Sequence, residues 1–220
     1  MAWRPYVPTI LLIHMVQAFE DPFMGKKATS FCLPDSAGNS ICLDSFRGTW
    51  VILYFYPRDN TPGCTIEAMQ FNAALEKFAD LGAQVIGVSS DSPESHQKFA
   101  EKHNLSILLL SDTEHTVLKA FDAWKPKTMF GKEFFGTQRD TFLIDPEGII
   151  VAVWRKVNPK GHAEEVKSTL LLKKEVMGNG SLLLFHYEEE LFHVFIRIFL
   201  IEFTLRFSVT TKKQNDDLIS

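Results

Sequence analysis

The sequence predicts an α/β domain built of layers, a buried sheet covered by helices. Three observations carry this. The run Trp50-Val51-Ile52-Leu53-Tyr54-Phe55-Tyr56 is continuously apolar and rich in β-branched and aromatic residues, as suits a strand covered on both faces. A helical pattern with Ile66, Met69, Ala73, Leu75 and Phe78 follows, with Gly82 to stop it. Strand-like and helix-like stretches then keep alternating.

In chain order, Phe31-Cys32-Leu33-Pro34 and Ile41-Cys42-Leu43 read as two short strands, joined by a hairpin turn over Asp35 to Ser40. Cys32 and Cys42 are expected to be small apolar fillers of the core. The central strand ends in Pro57-Arg58-Asp59-Asn60-Thr61-Pro62-Gly63, too dense in turn residues to continue it. Cys64 therefore falls at the N-terminus of the next helix, a position that makes a thiol reactive. Ala83 to Val88 is a second buried strand. Ser92-Pro93 caps a helix running to about His103. Ser106 to Leu110 is a third strand, and Asp112 opens a short helix reaching Phe121. Trp124 to Gln138, rich in Lys, Gly and Phe, reads as a loop. Arg139 to Asp145 and Ile149 to Trp154 form an antiparallel pair around Pro146-Glu147-Gly148.

Composition narrows the function. The net charge is −4 and the basic residues are scattered, so no nucleic-acid surface is indicated. Three cysteines do not look like a secreted disulfide framework. A reducing compartment is expected, with any disulfide being catalytic. No Cys-x-x-Cys or His-x-x-x-His pair exists, so no metal is expected; no cofactor is expected either.

The spacing Pro57-x-x-x-Thr61-x-x-Cys64 resembles the active-site motif of the peroxiredoxins. The string Tyr54-Phe55-Tyr56-Pro57-Arg58-Asp59-Asn60-Thr61-Pro62-Gly63-Cys64-Thr65 is similar to that of their bacterioferritin-comigratory-protein (PrxQ) subfamily. The likeness covers Met24 to about Lys174. It implies a thioredoxin-like fold, a central mixed sheet flanked by helices, with extensions at 1–23 and 175–220. It also implies a thiol-specific peroxidase in antioxidant defence and redox homeostasis. Its substrates would be hydrogen peroxide and small organic hydroperoxides, and thioredoxin or another thiol its reductant. Cys64 would be the peroxidatic cysteine, oxidised to a sulfenic acid. Arg139, just before Thr141-Phe142-Leu143-Ile144-Asp145, matches the family's active-site arginine. Thr61 would offer its hydroxyl, and Pro57 would wall the pocket.

Elementary chemistry says why one thiol is not enough. A thiol of pKa ~8.5 is only about 3% thiolate at neutral pH. Lowering such a pKa to ~6 gains roughly thirty-fold in thiolate but loses roughly thirteen-fold in nucleophilicity, a net benefit of about two-fold. The larger effect must be stabilisation of charge on the departing oxygen. Fixed donors beside the sulfur are therefore required: Thr61, the backbone N–H groups of Gly63 and Cys64, and the forked guanidinium of Arg139. Arg58 is the other basic candidate, expected on the loop surface. Glu67, one turn beyond Cys64, either orients Arg139 or only complements the helix dipole.

The chain departs from the subfamily where many members carry a resolving cysteine, five residues after the peroxidatic one; that position is Met69. Three routes for reducing the sulfenic acid stay open: an external thiol, Cys32 or Cys42 after local unfolding, or a Cys64–Cys64 disulfide between chains. A peroxide sensor or redox relay passing oxidation to a partner protein is the alternative function. A monomer is expected. Near the start, Arg4, the apolar run Tyr6 to Val16 and Val16-Gln17-Ala18 give a faint secretion-signal shape, interrupted by Pro8 and His14. The cytoplasm is the expected compartment, with export through that weak signal as the alternative. In the C-terminal extension Arg197, Glu202 and Arg206 argue against a membrane span, and a surface-membrane or oligomerising helix is the other reading.

Overall fold

The computed structural model describes residues 21–129 and 131–178. Two compact units divide the chain, Met1–Leu171 and Leu172–Ser220. Of the second, the described part is the end of one helix. Expectations for residues 1–20 and 179–220 lie outside the described residues.

The strands are β1 (Cys32–Pro34), β2 (Ser40–Cys42), β3 (Trp50–Phe55), β4 (Ala83–Ser89), β5 (Leu108–Ser111), β6 (Trp124–Met129), β7 (Lys132–Thr137), β8 (Asp140–Ile144) and β9 (Ile150–Trp154). The α-helices are α1 (Pro62–Ala73), α2 (Leu75–Asp80), α3 (Pro93–His103), α4 (Thr116–Ala120) and α5 (His162–Gly178). The main sheet has the order β5-β4-β3-β8-β9. It is mixed: β3 pairs parallel with β4 and antiparallel with β8.

All six residues of β3 are buried, which is why its sequence is continuously apolar rather than alternating. Trp50, Ile52 and Tyr54 face one core layer with Phe71, Phe78 and Phe99; Val51, Leu53 and Phe55 face a second with Leu33, Leu43 and Val117. The Ser92 hydroxyl accepts from the Ser95 N–H at 3.3 Å, capping α3 as its sequence predicts.

Three expectations need correction. The helical stretch after Cys64 breaks at Ala74, and its inner face is Cys64, Glu67, Ala68 and Phe71, with Met69 exposed. A carboxylate on the inner stripe hid the true phase of the helix. Trp124 to Gln138 is not a loop: β6 and β7 form an antiparallel hairpin. Cys32 and Cys42 are not core fillers, since they are joined in a disulfide across β1–β2. Side chains alternate along a strand, so burying Leu33 turns its neighbour Cys32, and with it the opposed Cys42, away from the core. Ahead of Met24, Asp21 pairs with Arg155 and Phe23 stacks on Phe121.

Candidate active site

β3 delivers the chain into a loop that is tied down before it reaches Cys64. Asp59 is the anchor. Its carboxylate accepts from Tyr56 Oη (2.7 Å), Ser95 Oγ (2.7 Å) and His96 Nδ1 (2.9 Å), and its N–H donates to Asp91 (2.9 Å). Burial works against this charge, yet His96, Ser95 and Tyr56 hold the Asp59 carboxyl below the usual carboxylate range. Asn60 then takes a left-handed turn, φ 58°, and Thr61 is the N-cap residue of α1 with Pro62 in the first turn.

Cys64 is 1% exposed. The first bond of α1 runs from the Thr65 N–H to the Thr61 carbonyl (2.9 Å), so the N–H groups of Gly63 and Cys64 precede it. Across from them, Arg139 immediately precedes β8. The chain on both sides is pinned, because the Arg139 carbonyl accepts from the Val157 N–H (2.8 Å) and Asp140 accepts from Arg155 (2.8 Å). The Arg139 guanidinium bridges two groups, with Nη2 donating to Cys64 Sγ at 3.2 Å and Nη1 pairing with Glu67 Oε2. Gly63 makes room for it: a Cβ there would sit 3.3 Å from Nη2.

Burial pushes the Glu67 carboxyl up to about 7, with Arg139 pulling the other way. Its Oε1 has no partner among the described residues. Tyr54 lies under the same face, stacked on Phe71 with ring centroids 4.8 Å apart. Burial, and then the charges of Glu67 and Cys64, raise its phenol well above the usual value. Gly87 admits that ring, since a Cβ there would come within 2.6 Å of it.

Of the residues singled out from sequence, Cys64 and Arg139 are brought together. Pro57 is half-buried in the loop and Arg58 is exposed. The Thr61 hydroxyl donates to the Arg58 carbonyl (3.1 Å), not to the sulfur. Glu67 orients Arg139, settling its two readings in favour of the ion pair. Sequence reasoning missed Lys127, half-buried on β6, whose Nζ donates to the Thr137 carbonyl at 2.6 Å. Burial, and then Arg139, lower its pKa. The misread hairpin concealed it. No group of metal-ligating side chains occurs among the described residues, nor any helix long and apolar enough to cross a membrane.

The AhpC/TSA family model matches residues 24–153. Peroxiredoxin Bcp of Bacillus subtilis is 51% identical over 147 residues, 67% of this chain and 94% of that protein. Peroxiredoxin Bcp of Xanthomonas campestris is 43% identical over 152 residues, 68% and 95% of the two chains. A solved structure of the Xanthomonas campestris bacterioferritin comigratory protein, described for its alkyl peroxide reduction activity, superposes with a TM-score of 0.63 at 43% identity, covering 65% of this chain and 91% of that one. Xylella fastidiosa PrxQ gives a TM-score of 0.65 at 40% identity, covering 68% and 96%. On this family match, over a thioredoxin-like fold, the chain belongs to the AhpC/TSA family as a peroxiredoxin of the Bcp/PrxQ group, a peroxidase among the oxidoreductases.

Proposed function

We propose that the chain reduces hydrogen peroxide and small organic hydroperoxides at Cys64, with Arg139 beside the sulfur and Thr61 and Pro57 shaping the pocket. The Cys64 thiolate attacks one peroxide oxygen, the O–O bond breaks, and the departing alkoxide or hydroxide takes a proton. Cys64 is left as a sulfenic acid. A thiol then attacks that sulfur and releases water. A second thiol frees Cys64, so a dithiol such as thioredoxin completes the cycle.

The 3.2 Å contact between Arg139 Nη2 and Cys64 Sγ carries this reading. It puts a fixed cation where the sulfur anion and the leaving oxygen both need one. Glu67 and the two helix-start N–H groups complete the arrangement. We assign the chemistry to residues 24–174 of a cytoplasmic monomer, with 1–23 and 175–220 as extensions.

Stopped-flow mixing with hydrogen peroxide, followed by tryptophan fluorescence, tests it. The wild type should show a fast phase that is missing in Cys64→Ser. A phase of equal rate in that variant would end the proposal.

A further inference from the structure

Cys32 and Cys42 are opposed in the β1–β2 ladder, with Cα atoms 4.0 Å apart. Cys32 is exposed and Cys42 half-buried. Beside Cys32 opens a groove of about 270 Å³, between Thr29–Phe31 and the segment Thr116–Phe121. The hairpin's inner side chains, Leu33 and Leu43, pack with Val51, Leu53 and Phe55, whereas Cys64 packs with Ile52 and Tyr54. The sheet thus stands between the pair and Cys64 within one chain. The sequence holds three cysteines, so no other thiol is available in the same molecule.

We propose that the hairpin pair, in its dithiol form, reduces the Cys64 sulfenic acid of a second copy of this chain. The proposal rests on the sulfenic acid chemistry given above. Cys32, the more exposed sulfur, attacks as a thiolate on Cys64 Sγ of the other copy. The S–O bond breaks, the oxygen leaves as water, and a Cys32–Cys64 disulfide links the two chains. Cys42, held opposite Cys32 by the ladder, then attacks Cys32 Sγ. Cys64 leaves as a thiolate and the Cys32–Cys42 disulfide closes. Two electrons pass from one hairpin to one sulfenic acid. An external dithiol reopens the hairpin by attacking the exposed Cys32, taking the disulfide onto itself. The observed bond is the oxidised end of this cycle.

Trapping and complementation test it. Fully reduced Cys42→Ser, given one equivalent of hydrogen peroxide, should accumulate a species of doubled mass joined between Cys64 and Cys32, while Cys32→Ser should not. In the wild type the Cys32–Cys42 bond should close in a phase whose rate constant doubles when protein concentration doubles. Mixing isotope-labelled Cys64→Ser with an unlabelled Cys32→Ser/Cys42→Ser chain keeps the question open if trapping fails. Peroxide should close the hairpin in the labelled chain only when its partner is present. A labelled hairpin that stays reduced, or closes equally fast alone, overturns the proposal. Dimedone capture of the unlabelled chain separates the two failures. A Cys64 adduct with no hairpin oxidation defeats the relay alone, and no adduct defeats the sulfenic acid as well.

Discussion

Glu67 and Asp59 are both buried carboxylates, one on either side of Cys64 in the chain, yet the fold treats their charges in opposite ways. Glu67 is 1% exposed and Asp59 5%. Among the described residues Glu67 has one partner, Arg139, and an idle oxygen, and burial pushes it up to about 7. Asp59 is gripped by Tyr56, Ser95 and His96, and it stays below the usual range. Depth alone does not decide the charge state. Donors count as well, because each hydrogen bond to the charged form offsets part of the lost hydration, and the His96 ring adds its own attraction for the Asp59 charge. Asp59 serves as an anchor, and Glu67 as an adjustable neighbour of the guanidinium.

The largest expected effect comes from removing the anchor. Asp59→Ala leaves Tyr56, Ser95 and His96 without their acceptor, and should cost about 3–5 kcal/mol of stability, read from urea unfolding. A loss below about 1 kcal/mol would break the contrast. Next is Arg139→Ala. It should slow oxidation of Cys64 by hydrogen peroxide about 10²–10³-fold in stopped flow, while leaving the Asp59 cluster intact.

pH should separate the two carboxylates by sign. The folded pKa of Glu67, about 7, lies above its ordinary 4.5. Between those values the native chain holds a proton that the unfolded chain has shed. Its stabilising contribution is therefore complete below 4.5 and is lost as pH rises through 7, by about 3 kcal/mol. Asp59 runs the other way: its contribution is complete above its ordinary 3.8 and is lost as pH falls through the depressed folded value. Unfolding curves of Glu67→Gln minus wild type should show the first change alone, and those of Asp59→Asn minus wild type the second.

Much of this arrangement is legible in sequence, for reasons that differ by element. A strand buried on both faces declares itself, as Trp50–Phe55 does, because every residue must be apolar. Ser92-Pro93 announces its helix through a local cap. The meeting of Cys64 with Arg139, 75 positions apart, was reachable only through family resemblance. Glu67 defeated the periodic reading because a charge stood on the inner face, and Asp59 looked like an ordinary turn residue because two of its partners, Ser95 and His96, lie 36 and 37 positions away. The outward turn of Cys32 is readable from alternation with Leu33. Its pairing with Cys42 is not, since that depends on the hairpin register.

The smallest perturbation is Gly63→Ala, and it divides the site within the guanidinium itself. The new Cβ would meet Nη2, the nitrogen that donates to Cys64, at 3.3 Å, while Nη1 remains free to hold Glu67. Gly63 lies in the first turn of α1 and shows no positive φ, so alanine fits the backbone and favours the helix by about 0.5–1 kcal/mol. Nη2 must retreat by a few tenths of an ångström from the sulfur. A contact weakened by about 1 kcal/mol slows peroxide oxidation roughly five-fold. Stability should hold or rise slightly, and the fall in stability between pH 4.5 and 7 should persist, because Glu67 keeps its burial and its partner. An unchanged oxidation rate would mean that the Nη2 contact is incidental and that Glu67 alone fixes the arginine.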